Sequence, residues 1–227
     1  MSSAIAAMQR PIQLLSVGCC VTMALAMLPS AYQGTLFAWH PLMLSLGFLG
    51  FMTEGIMAAV RFRPNEGTTR VAAITNHALI QCASTVCVCL GFYAIYANKN
   101  LNGKPHFRSL HGKVGLVAFA LALASPALGA LSFRRLGLIQ KFPDSWQPRM
   151  KWLHRLISAY AYVLGMVAMQ LPLPHHAVLT GLACLAWQAA VIALGGCMLY
   201  VLRGRISGRS VLPASASGPS FATPKSL

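Results

Sequence analysis

The sequence predicts an all-α integral membrane protein of six transmembrane helices, with helices two to five forming a four-helix core. Three observations predict it. Only 9% of the 227 residues are charged and 56% are hydrophobic. A soluble domain carries about a quarter charged residues, so this chain has too little charge to face water all round, and lipid is its solvent. Six apolar runs, at roughly 12–31, 38–60, 71–97, 111–133, 152–172 and 178–202, are each close to the ~20 residues that cross a bilayer. Lastly, Lys and Arg alternate between the connections. Arg10, Arg61, Arg63, Arg70, Arg134, Arg135, Lys141, Arg149, Lys151, Arg155, Arg203, Arg205, Arg209 and Lys225 fall on one face, against Lys99, Lys104, Arg108 and Lys113 on the other. Basic residues favour the cytosolic side, so both termini are expected there. The net charge of +15 is thereby a topology signal and not a nucleic-acid one. Its cytosolic share is also suited to anionic lipid or an anionic substrate.

The first run follows Arg10 and ends in Leu28-Pro29-Ser30-Ala31. That pattern faintly resembles a cleaved signal, but the run exceeds a signal core, so a retained helix is expected. The second run opens at His40 and carries Glu54, an acid at membrane depth far from any other. A proton relay and a bond to a neighbouring helix are both open to it. Pro64-Asn65-Glu66-Gly67 turns the chain into the third run, which carries His77 near its start.

The fourth run places His111, Gly115, Ala118, Ala122, Ser125 and Gly129 on one face. The fifth repeats the design with His154, Ser158, Ala161, Gly165 and Ala168. Small residues at this spacing let helix backbones approach, and they equally leave room for a flat macrocycle. Residues 134–150, broken by Pro143, Asp144 and Pro148, form the longest cytosolic loop. The six helices make one domain over 1–205, with its core at 36–172. The Ser-, Pro- and Gly-rich tail 206–227 has little to bury and is predicted disordered.

His40, His77, His111 and His154 are the candidate site. Alternating topology puts His40 and His111 toward one face and His77 and His154 toward the other. Ionisable groups at membrane depth are rare and functional by default, and two imidazoles at matched depth on nearby helices suit the two axial positions of one haem iron. Two pairs make a di-haem core. Counting helical rise from Arg61 and Arg70 separates the levels by ~20 Å. Zinc wants four clustered ligands, which neither pair supplies. The cysteines, Cys19, Cys20, Cys82, Cys87, Cys89, Cys184 and Cys197, lie inside apolar runs without a C-x-x-C or C-x-x-C-H motif. A haem-free transporter, using the histidines for protons or metal, and a scaffold using tail and loops are the competing readings.

The stretches Leu36-Phe37-Ala38-Trp39-His40-Pro41, Met52-Thr53-Glu54, Gly103-Lys104-Pro105-His106, Ser109-Leu110-His111-Gly112 and Lys151-Trp152-Leu153-His154 resemble the cytochrome b561 family. The chain looks most like its small stand-alone transmembrane reductases, over about residues 36–170. The resemblance implies two haem b groups, the cytosolic one held by His77 and His154 and the other by His40 and His111. It implies an ascorbate-dependent transmembrane oxidoreductase, taking electrons from cytosolic ascorbate to monodehydroascorbate or a ferric iron chelate, and built as a homodimer. The membrane is then an endomembrane (endoplasmic reticulum or vesicle) or the plasma membrane. No nucleic acid is involved.

For ascorbate, an anion, the candidate contacts are Arg70, Arg149, Lys151 and Arg155, with Lys151 one helical turn before His154. For the far-side acceptor they are Lys104, His106 and Arg108, with His106 placed to exchange a proton. Asn76, before His77, departs from the more basic approach of many relatives. His175 and His176 are expected to be ordinary loop residues.

Overall fold

The computed structural model describes residues 3–61, 65–171 and 178–206. Its first helix is α1 (Ser3–Tyr32). A tight turn through Gly34, whose φ of 84° suits glycine, leads into α2 (Leu36–Arg61). Then come α3 (Gly67–Leu101), α4 (Leu110–Ser132), α5 (Gln147–Gln170) and α6 (Gly181–Ile206). Short 3₁₀ turns at Arg134–Leu136 and Leu138–Lys141 bring the long loop back toward α5. No strand occurs among the described residues. His175, His176, Pro64 of the predicted turn and the tail from 207 lie outside the described residues.

Five of these helices, α1, α2, α3, α4 and α6, are long and apolar enough to cross a bilayer. The sixth, α5, has the length but opens with Arg149, Lys151 and Arg155, which dilute its apolar character. Its inner residues Ala159, Ala161, Tyr162, Gly165, Met166 and Ala168 are buried, so protein supplies much of the apolar surroundings that lipid supplies elsewhere. Two of the predicted runs were too short: α3 extends past both ends of 71–97, and α1 starts well before residue 12.

Packing follows from where large apolar side chains sit. On α1, Leu14, Val17, Val21, Leu25 and Leu28 face outward, as in a helix whose outer stripe meets acyl chains. Its other side buries Ile12, Cys19, Met23 and Met27 and packs against α2 and α6. Trp187 Nε1 donates to Cys19 O at 3.1 Å, tying α6 to α1. The heart of the molecule is α2 to α5, in which α2 pairs with α3 and α4 pairs most extensively with α5.

Helix α2 is irregular at its centre. Ser45–Met52 adopts π-helical bonding, in which each amide reaches one residue further back than in an α-helix. Loosened carbonyls in apolar surroundings need partners, and side chains supply them. Ser16 of α1 donates to Leu49 O at 2.5 Å, Ser84 of α3 to Gly47 O at 2.9 Å, and Thr53 to Phe48 O at 3.3 Å. Cys20 reaches Ser45 O at 3.5 Å. Gly47 is required here, because a Cβ would stand 2.8 Å from Val88 Cγ2.

Glu54 forms an ion pair with Arg61 on the same helix. The pair lies within one helix, and Glu54 adjoins Gly55, whose carbonyl accepts from His77.

Candidate functional site

The structure brings the four histidines together in two pairs. The ring centroids of His40 and His111 lie 6.0 Å apart at 90°, and those of His77 and His154 lie 6.5 Å apart at 84°. Each ring is held by one backbone carbonyl. His40 Nδ1 is 3.0 Å from Gly91 O, and His77 Nδ1 is 2.8 Å from Gly55 O. His111 Nδ1 is 2.8 Å from Ala168 O, and His154 Nδ1 is 2.9 Å from Ser125 O. A carbonyl only accepts, so Nδ1 carries the proton and Nε2 keeps its lone pair.

The bracing is reciprocal. Helices α2 and α3 hold each other's imidazoles, and so do α4 and α5. Every helix offers one ring near its start and one carbonyl further along. That carbonyl follows the helix's own histidine by 14 residues in α3, α4 and α5 and by 15 in α2. The π segment absorbs the additional residue, keeping Gly55 O level with His77. Acceptor residues are Gly55, Gly91, Ser125 and Ala168, all small, so a ring can reach the main chain. At ~1.5 Å per residue, 14 residues correspond to ~21 Å along a helix axis.

Each pair suits a metal held between two imidazoles. Such a nitrogen sits ~2 Å from a transition metal and ~1 Å from its own ring centre, so one shared ion sets the centroids ~6 Å apart. Among the described residues no three His, Cys, Asp or Glu side chains converge, so four-ligand zinc has no donor set there. Beside His40 and His111 opens a cavity of about 670 Å³, inside the range that holds a cofactor-sized molecule. Phe37, Leu44, Phe48, Val88, Phe92 and Phe119 contribute to its mainly apolar wall. An apolar slot between two free imidazole nitrogens fits haem.

The candidate substrate residues divide. Of Lys104, His106 and Arg108, only His106 lines the cavity, while the two cations are exposed. His106 lies flat on Tyr96, centroids 4.3 Å apart, and its Nε2 is 2.7 Å from Asn100 Oδ1. On the other face Lys151 sits among Arg134, Arg70 and Arg155, brought from the loop, α3 and α5 respectively. Partial burial first, then repulsion from those three guanidinium groups, lowers the Lys151 ammonium below its ordinary value. Arg149 is instead turned over the Trp146 ring, 5.7 Å from its centroid. The sequence reading missed Arg134 and Lys99, which had counted only toward topology; Lys99 lines the cavity.

The match to known proteins falls on this same core. Residues 39–180 match the family model described as eukaryotic cytochrome b561. The chain belongs to the cytochrome b561 family. Transmembrane reductase CYB561D2 of Bos taurus is 26% identical over 172 residues, covering 74% of this chain and 70% of the relative. The Homo sapiens protein of that name is 26% identical over 162 residues, covering 70% of each. The Mus musculus one is 27% identical over 172 residues, covering 74% and 70%. No solved structure matches. Membership makes the chain a multi-pass membrane oxidoreductase of a haem b-binding, electron-transferring family.

Proposed function

We propose that this cytochrome b561 protein carries electrons from cytosolic ascorbate, through two haem b groups, to monodehydroascorbate or a ferric chelate on the opposite side. The observation that carries the reading is the geometry of the two imidazole pairs, each ring fixed through Nδ1 to a backbone carbonyl of a neighbouring helix. His77 and His154 hold the cytosolic group, and His40 and His111 hold the other. Haem held between two imidazoles would supply a one-electron couple suited to outer-sphere transfer.

The protein's own part is positional and electrostatic. Gly55, Gly91, Ser125 and Ala168 carbonyls fix the ring planes and tautomers. Arg70, Arg134, Lys151 and Arg155 focus positive potential at the cytosolic mouth, where the ascorbate anion arrives. His106, at the other mouth, holds a proton near the acceptor. Six spans, including α5, put both termini in the cytosol of an endomembrane or plasma-membrane protein, which pairs as a homodimer.

Absorption spectroscopy tests this. Purified, inserted protein is expected to be red, to hold two haems per chain and to change spectrum reversibly with ascorbate. Correctly folded protein that stays colourless with haem in ample supply refutes it and favours histidine-based transport.

A further inference from the structure

The cavity beside His40 and His111 is not uniformly apolar. Its lining includes Lys99, His106 and Ser109, and Lys99 is the one Lys or Arg among its described lining residues, which hold no Asp or Glu. Lys99 lies eight residues past Gly91 on α3. It is therefore ~12 Å nearer the membrane face than the carbonyl that braces His40. The Lys99 side chain is half-buried as a whole, and its ammonium makes an exposed bond to Pro105 O at 3.1 Å, which leaves two of its three protons to give. His106, its neighbour at the mouth, directs Nε2 to Asn100 and lies flat on Tyr96.

Haem is an apolar disc with two carboxylates on one edge. Placed with its iron between His40 and His111, the disc is matched by aromatic and aliphatic walls. Its acid edge needs a cation, because a carboxylate without a partner in a half-buried site is costly. Lys99 is the group in reach of that need.

We propose that Lys99 is a cofactor-positioning residue: its ammonium binds a propionate carboxylate of the non-cytosolic haem and sets which edge of the disc faces the acceptor. This rests on the di-haem reading above. It also separates Lys99 from Lys104 and Arg108, which stand outside the cavity.

A chemical cycle tests it, using the full-length protein in detergent. Haem is allowed to leave for an excess of apomyoglobin, and the phase belonging to the non-cytosolic group is recognised by its absence from His40→Ala. Lys99→Met keeps the aliphatic stem without the charge and is expected to speed that phase roughly fivefold, the size of a half-exposed ion pair. Lys99→Arg is expected to restore the slow rate. Reconstitution with haem dimethyl ester, which lacks the carboxylates, is expected to give wild type and Lys99→Met the same rate, the mark of a paired interaction. The midpoint potential of that haem is expected to fall in Lys99→Met, since an unpaired carboxylate favours the ferric state.

Unchanged natural-haem dissociation in Lys99→Met, with only the KM for a ferric chelate raised, overturns the proposal and makes Lys99 a substrate contact. An equal gap between wild type and variant with the ester overturns it too. Wild-type protein holding fewer than two haems defeats the parent reading and is recognised before any variant is made.

Discussion

The imidazole of His154 rests against the main chain of Gly129: a Cβ on that glycine would stand 3.2 Å from His154 Cε1. The contact lies within the α4–α5 pair and explains why a glycine occupies the end of the small-residue face. Gly129→Val is expected to push the ring off Ser125 O and weaken the cytosolic haem. The pyridine haemochrome ratio should fall from two toward one, while the His40–His111 group keeps its spectrum.

Pair-selective loss follows from the ring geometry. His77→Ala or His154→Ala is expected to remove the cytosolic haem and slow reduction by ascorbate. His40→Ala or His111→Ala should leave reduction of the first haem intact and block delivery to an external acceptor. Stopped-flow spectra with ascorbate, then with a ferric chelate, separate the two classes; loss of both haems from every variant would contradict the pairing.

The Lys151 cluster predicts a pH dependence with a definite sign. Burial and three neighbouring guanidinium groups, those of Arg134, Arg70 and Arg155, hold the lysine below its ordinary value of 10.5. A bound anion favours the charged form, so binding takes up a proton once part of the lysine is neutral. Affinity for ascorbate is therefore expected to be full below the lowered pKa and to fall as pH rises through it. That fall begins earlier than an ordinary lysine would give. Lys151→Arg should abolish this alkaline fall, as seen in the KM for ascorbate between neutral and alkaline pH.

Tyr162 and Thr53 share a hydrogen bond of 2.8 Å in the buried centre, and Thr53 also donates to Phe48 O in the π segment. Tyr162→Phe is expected to cost about 0.6 kcal/mol, the average for such bonds inside a membrane protein and well below ~2 kcal/mol. Thr53→Val leaves the Tyr162 hydroxyl unpartnered as well and should cost more. Thermal denaturation of the haem-loaded protein, followed in the Soret band, measures both.

Much of the core was readable because its periodic signals are strong. Apolar runs and small residues at helical steps marked the helices, and lone histidines at the heads of the runs marked which rings meet. A further signal was present and went unread, namely a small residue 14 or 15 positions after each histidine. The π segment of α2 left no mark, since Ser45–Met52 reads as ordinary apolar helix and its bonding depends on Ser16, Cys20 and Ser84 from other helices. Lys99 was hidden for a similar reason. Sequence position puts it in a connection with three other cations, and only the fold turns it toward a cavity while leaving Lys104 and Arg108 outside.

The crosswise ligation has a consequence for biogenesis. His40 and His77 belong to one braced helical hairpin, His111 and His154 to the other, so on the proposed ligation each porphyrin is a rivet between two separately sturdy halves. Setting the first rivet registers those halves and prepares the bed for the second. Either rivet alone is expected to hold that register, as the single-histidine variants require, so a cell short of haem would accumulate folded chains with one haem that pass no electron across.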